Sequence, residues 1–167
     1  MRETGKRTSA WAARYALLVA LAIVLSWLES MISLPVSIPG VKVGLTNLVV
    51  IFALYRMSLW DAASISMIRV ILVSMTFGNA YSLAYSFAGA VLSLVFMTAL
   101  KKSEMLSILG VSIAGGIAHN MGQIFTAMVV LKTMRLILYL PALLIAGTLA
   151  GIAIGAAGGV LTERVQV

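Results

Sequence analysis

The sequence predicts an all-α fold, an integral membrane bundle of six transmembrane helices with both termini on the cytoplasmic side. Three observations predict it. First, 62% of the residues are hydrophobic, only 10% are charged and the mean hydropathy is +1.09, whereas soluble domains carry about 25% charged residues. A chain this apolar cannot present a wetted surface, so lipid is its main solvent. Second, the apolar runs are long and lack strand-like alternation, so helices rather than a barrel must satisfy the backbone. Third, the basic residues gather at alternate ends of these runs. Arg2, Lys6, Arg7, Arg14, Arg56, Lys101, Lys102 and Arg164 fall on one side; Lys42, Lys132 and Arg135 fall on the other. That bias sets the first group in the cytoplasm.

Helix 1 is expected over about 9–28. Trp11 and Tyr15 suit the headgroup level, and Ala12, Ala16 and Ala20 recur every fourth residue, which stacks three methyl groups on one face where another helix can approach. A connector follows with Pro35, Pro39 and Gly40, which break helix. Helix 2, about 44–55, is short for a span of ~30 Å, which needs ~20 residues. It is expected to start inside the membrane, or the loop before it to dip in. Ser58 and Asp61 form a capping-box pattern that starts helix 3, about 59–75. Phe77, Gly78 and Asn79 make an outer turn before helix 4, about 81–100, which carries Ser82, Ser86, Gly89 and Ser93. Helix 5, about 105–131, holds Gly115, Gly116, His119, Asn120, Gly122 and Gln123 in its middle. Helix 6, about 136–161, carries Gly147, Gly151, Gly155 and Gly159 at every fourth position, a packing signal. Residues 1–167 are read as one transmembrane domain.

Composition also removes function classes. The net charge of +7 marks cytoplasmic ends and anionic headgroups rather than nucleic acid. With no Cys, disulfides, thiol chemistry and cysteine-held clusters are out. No cleavable signal peptide is expected: Arg2, Lys6 and Arg7 resemble an n-region, but the apolar run ends at Trp27, Leu28 and Glu29 without a small-residue cleavage site. The sequence has no G-x-x-x-x-G-K-[ST] for ATP and no aspartate-rich cluster for a Mg²⁺-diphosphate. The five acids, Glu3, Glu29, Asp61, Glu104 and Glu163, all sit at helix ends or loops. With one His, no triad order is convincing. No catalytic residue and no metal site are expected.

Three groups remain as candidates. Arg69 falls near the middle of helix 3, where an ionisable group costs ~3 kcal/mol and must face protein or water. It is either a cation for an anionic or polar ligand or a structural arginine held by helix-end carbonyls or by a carboxylate such as Glu29. His119, Asn120 and Gln123 share one broad face of helix 5 by their spacing. A lone polar residue there is often interhelical glue; three together beside glycines favour a ligand pocket. A metal at His119 lacks a second ligand, whereas a haem axial role stays open. Lys132 and Arg135 are read as snorkelling to lipid phosphates, while Lys42 sits in the unusual loop Ile38–Asn47. Substrate-binding candidates are therefore Lys42, Gly44, Thr46, Asn47, Arg69, Asn79, His119, Asn120 and Gln123, with Lys42 to Thr46 at the outer mouth of a cavity whose inner wall is Arg69, Asn120 and Gln123.

Four stretches, IPGVKVGLTN, ISMIRVILVSMTFGNAYSLAYSFAGA, GGIAHNMGQ and YLPALLIAG, together resemble the Gx transporter family, also labelled heptaprenyl diphosphate synthase component I. The resemblance runs from Leu34 to Gly155. That family is similar to the S components of energy-coupling factor (ECF) transporters, six-helix membrane proteins with both termini inside. The resemblance implies a substrate-binding subunit of an ABC-type importer in a prokaryotic plasma membrane. It would take a small vitamin-like or anionic molecule from outside, and a T component with two cytoplasmic ATPase subunits would drive release. Ala12, Ala16 and Ala20 match the A-x-x-x-A stripe on which S components dock, and Pro39 to Thr46 would close over the ligand. The other reading it leaves open is a non-transporting accessory subunit that binds a flavin, quinone or haem in electron transfer or quinone/prenyl metabolism. A prenyltransferase subunit fits least, since the acids for Mg²⁺-diphosphate are missing.

Overall fold

The computed structural model describes residues 2–31 and 44–165, with side chains from residue 9 onward. Six α-helices follow one another: α1 (Arg2–Met31), α2 (Asn47–Arg56), α3 (Leu59–Phe77), α4 (Ala80–Ser103), α5 (Ile108–Val130) and α6 (Leu140–Arg164), with a 3-10 turn (Met134–Tyr139) leading into α6. No strand occurs among the described residues.

Five of the helices are long and apolar enough to cross a membrane; α2 is not. Its ten residues rise about 15 Å, half of a ~30 Å core. Among the described residues the expected six spans thus become five candidate spans and one short helix. Local chemistry sets the entry to α2 and the start of the helix that follows it. Gly44 has φ +88°, a left-handed conformation that glycine adopts without a Cβ clash, and α2 begins three residues later. At the other end, the Ser58 hydroxyl accepts the Asp61 amide at 3.1 Å while the Ser58 amide donates to the Asp61 carboxylate at 3.1 Å, the reciprocal pair the spacing predicts. Ser58→Ala is expected to cost about 1 kcal/mol, read as a lower unfolding midpoint in detergent.

The core lies around α2 and α5. Ile51, Leu54, Ile65, Val111 and Ile124 are fully enclosed. α5 is the most buried span and α1 the least. Helix α5 packs chiefly on α4 and α6, α2 lies among α3, α5 and α6, and α1 rests mainly on α3, where Tyr15 Oη donates to Ser64 Oγ at 2.8 Å. Close approach comes from small residues. A Cβ on Gly122 would stand 2.7 Å from the Ala88 carbonyl oxygen of α4, and one on Gly151 would stand 2.5 Å from Ile113 Cα of α5. Without a hydrophobic drive between helices in lipid, such backbone-to-backbone packing is what holds them.

The glycine ladder divides. Gly147, Gly151 and Gly155 meet α5, whereas Gly159 faces open space; the neighbouring Gly158 instead meets Ile51 of α2. Cations close the helix ends on the face that carries both termini. Lys101 Nζ donates to the Leu54 carbonyl at 2.5 Å and lies 4.8 Å from the Tyr55 ring centroid, and Arg56 donates to the Thr162 carbonyl. Each cation thereby meets the negative end of a helix.

Candidate functional site

The short helix α2 brings polar chain into the bundle at the level of His119, which is midway along α5. The Gly44 amide donates to the Glu29 carboxylate of α1, so a carboxylate meets the turn that opens α2. Two residues on, the Thr46 hydroxyl shares a 2.9 Å hydrogen bond with Ser26 Oγ. Gly44, Thr46 and Asn47 are all buried. Glu29 is also the carboxylate that acts electrostatically on Arg69 of α3, whose side chain is 2% exposed. One acid of α1 holds the α2 entrance.

The imidazole of His119 separates two glycines. Its Cδ2 lies 3.8 Å from where a Gly44 Cβ would stand, and its Cε1 lies 3.1 Å from the corresponding point on Gly89 of α4. Gln123 takes the next turn of the same face, with Cγ 3.0 Å from the Gly89 position. Asn120 turns the other way. Its Nδ2 donates to the Leu143 carbonyl of α6 at 2.7 Å and lies across Gly147. The single wall expected from spacing thus splits: His119 and Gln123 face α2 and α4, and Asn120 ties α5 to α6.

Several buried polar atoms here have no hydrogen-bond partner among the described residues: Asn47 Nδ2, Arg69 Nε, Ser93 Oγ and Asn120 Oδ1. Serines extend the seam, with Ser66 and Ser74 on α3 and Ser82, Ser86 and Ser93 on α4 all buried. Among the described residues no three His, Cys, Asp or Glu side chains gather as metal ligands would.

The other candidates fall elsewhere. Asn79 is exposed and caps α4, its Oδ1 accepting the Ser82 amide at 2.8 Å; this is a helix-starting role at the turn between α3 and α4. Lys132 and Arg135 are exposed. Lys42, and with it Pro39 and Gly40, lies outside the described residues. Ala12, Ala16 and Ala20 are all exposed, so the stripe points away from the bundle. Reasoning from sequence missed Ser26 and the part Glu29 plays at Gly44. The available signal was their spacing: Ser26 and Glu29 are three apart, on one face of α1.

Five apolar spans packed round a buried polar centre define a multi-pass helical membrane protein. The family model described as heptaprenyl diphosphate synthase component I matches residues 18–161, and the chain belongs to that family. No curated protein and no solved structure shows significant similarity to it.

Proposed function

We propose that the chain is the membrane-embedded substrate-binding subunit of an ECF-type importer, an S component for a small vitamin-like or anionic molecule. The observation that carries this reading is the set of buried polar groups on α1, α2, α3 and α5. Among the described residues Asn47 Nδ2 and Arg69 Nε have no hydrogen-bond partner, and an unsatisfied polar group at membrane depth costs several kcal/mol. A polar or anionic ligand would satisfy them, with the Arg69 guanidinium as its main anchor. The half-length α2 supports the same reading, because irregular backbone at membrane depth is tolerated where it lines a cavity or is buried in protein.

The chain is proposed to be non-catalytic and to take its energy from elsewhere. The family label names a synthase component, but the four described carboxylates do not converge. Asp61 closes a helix cap, Glu104 and Glu163 are exposed, and Glu29 sits at Gly44. Release of ligand would be driven by a T component and two cytoplasmic ATPase subunits in a prokaryotic plasma membrane. The exposed Ala12, Ala16 and Ala20 supply a smooth face on which a partner helix can seat.

The test is affinity purification from the host membrane followed by native mass spectrometry, with Ala16→Trp beside Val91→Trp on the exposed face of α4. The expected result is that wild type and Val91→Trp retain the T component and ATPases and a bound small molecule, whereas Ala16→Trp loses the partners. Intact partner capture and uptake by Ala16→Trp would overturn the docking role. A bound chromophore with no ATPase partner would favour an electron-transfer accessory instead.

A further inference from the structure

A second feature, on the opposite flank of α1, is independent of the substrate reading. An apolar groove of about 260 Å³ runs between α1, α2 and the end of α6. That is just under the range of about 300–1,000 Å³ usual for small-molecule pockets. At 3.6 residues per turn, the groove-lining Arg14, Leu18 and Leu21 lie on one flank of α1, and Ala12, Ala16 and Ala20 on the other.

The groove is graded along its length. Its mouth, on the face that carries both termini, holds Arg14, Met57 and Val165; its deep end holds Leu21 and Leu48, with Phe52 between. Among the described residues Arg14 is the one charged group in the lining. Two more arginines stand next to lining residues at the mouth: Arg56 precedes Met57 and Arg164 precedes Val165, and both are exposed. The nearby acids are turned elsewhere. Asp61 is held in the Ser58 cap, and Glu163 lies two positions from both Leu161 and Val165, on the far side of the helix turn. An apolar slot about 10 Å long, from Arg14 to Leu21 at 1.5 Å per residue, therefore ends in a cluster of positive charge.

We infer that this groove holds one acyl chain of an anionic phospholipid from the adjacent leaflet, with its phosphate set against Arg14, Arg56 and Arg164. The chain fills the slot between α1 and α6 beside α2, where lipid would otherwise meet a concave surface. The arginines select the headgroup, because each basic residue at a membrane surface favours an anionic lipid. Charge at the mouth distinguishes this site from the uncharged apolar surface that the same helices show to bulk lipid.

The test is lipid titration of the delipidated full-length protein in detergent, read by native mass spectrometry. The probes are phosphatidylglycerol and phosphatidylcholine with identical acyl chains. Phosphatidylglycerol is expected to bind at least about fivefold tighter, and Arg14→Gln to lose about that factor. Leu18→Trp, which fills the slot, is expected to lower binding of both lipids. Circular dichroism checks that each variant is folded; Arg14 is exposed, so Arg14→Gln decides the matter if Leu18→Trp does not fold. Equal binding of the two lipids, or an Arg14→Gln protein that keeps the preference, would overturn the inference. Displacement of phosphatidylglycerol by equimolar farnesyl diphosphate would also overturn it and assign the groove to a soluble prenyl diphosphate.

Discussion

Gly151→Val is expected to be among the most damaging single substitutions in the membrane-spanning part of the chain. The added Cβ would stand 2.5 Å from Ile113 Cα, 3.0 Å from the Ser112 carbonyl oxygen and 3.1 Å from the Ile113 amide nitrogen. All three are backbone atoms of α5, so no side chain can rotate out of the way; the helices must separate. Separation at this level propagates, because Gly147 and Gly116 meet backbone to backbone one turn further along. Overpacking typically costs 1–3 kcal/mol, occasionally more, and about 3 kcal/mol is expected here. Gly159→Ala provides the control. Nothing lies within 4 Å of its added methyl, and alanine is the better helix former, so its stability should be unchanged or slightly raised. Thermal unfolding in detergent, followed by circular dichroism, separates the two. Equal effects at Gly151 and Gly159 would show that the α5–α6 contact is not the tight one described.

Arg69→Leu is the second large effect. Arg69 is buried in a membrane span, and Glu29 is the acid expected to offset its charge. Removing one member of a buried pair leaves the other charge uncompensated, at a cost of about 3–5 kcal/mol. Glu29→Gln should also cost stability, since it leaves Arg69 uncompensated, although its amide oxygen still accepts the Gly44 N–H. The double variant tests the pairing directly. Arg69→Leu with Glu29→Gln is expected to lose less than the sum of the singles, by about 1–3 kcal/mol, as coupled neighbours do. Strict additivity would mean that the two groups do not sense one another, and Arg69 would then need another counter-charge. If the proposed ligand is anionic, Arg69→Leu also abolishes its retention, whereas the double variant restores stability without restoring binding. That split distinguishes a ligand anchor from a purely structural arginine.

Particular elements show how much of this was legible beforehand. The Ser58–Asp61 cap was readable because a capping box is local: three residues decide it. The shortness of helix 2 was readable from the distance between its breakers and Arg56. Asn79 was read as a ligand group, but the signal before a helix start serves a cap equally well, and capping is what the structure shows. His119, Asn120 and Gln123 were readable as polar residues at mid-span. Their division between α4 and α6 was not, because it depends on which helix lies on each side of α5. The exposed alanine stripe illustrates the same point, since the spacing of Ala12, Ala16 and Ala20 predicts a flat face but not its direction.

By itself, then, the sequence determined that the chain is a helical membrane protein, where its helices break, which residues are polar at membrane depth and which family it belongs to. Tertiary structure alone decided that Gly158 rather than Gly159 meets α2, that Asn120 binds α6, and that Glu29 accepts the Gly44 amide. The physical reason lies in the solvent. In water a buried face is apolar and an exposed face polar, so periodicity reveals which is which. In lipid both faces are apolar, because acyl chains are as apolar as leucine. The pattern that would orient each helix is then largely erased, and close backbone packing between helices decides what the sequence leaves open.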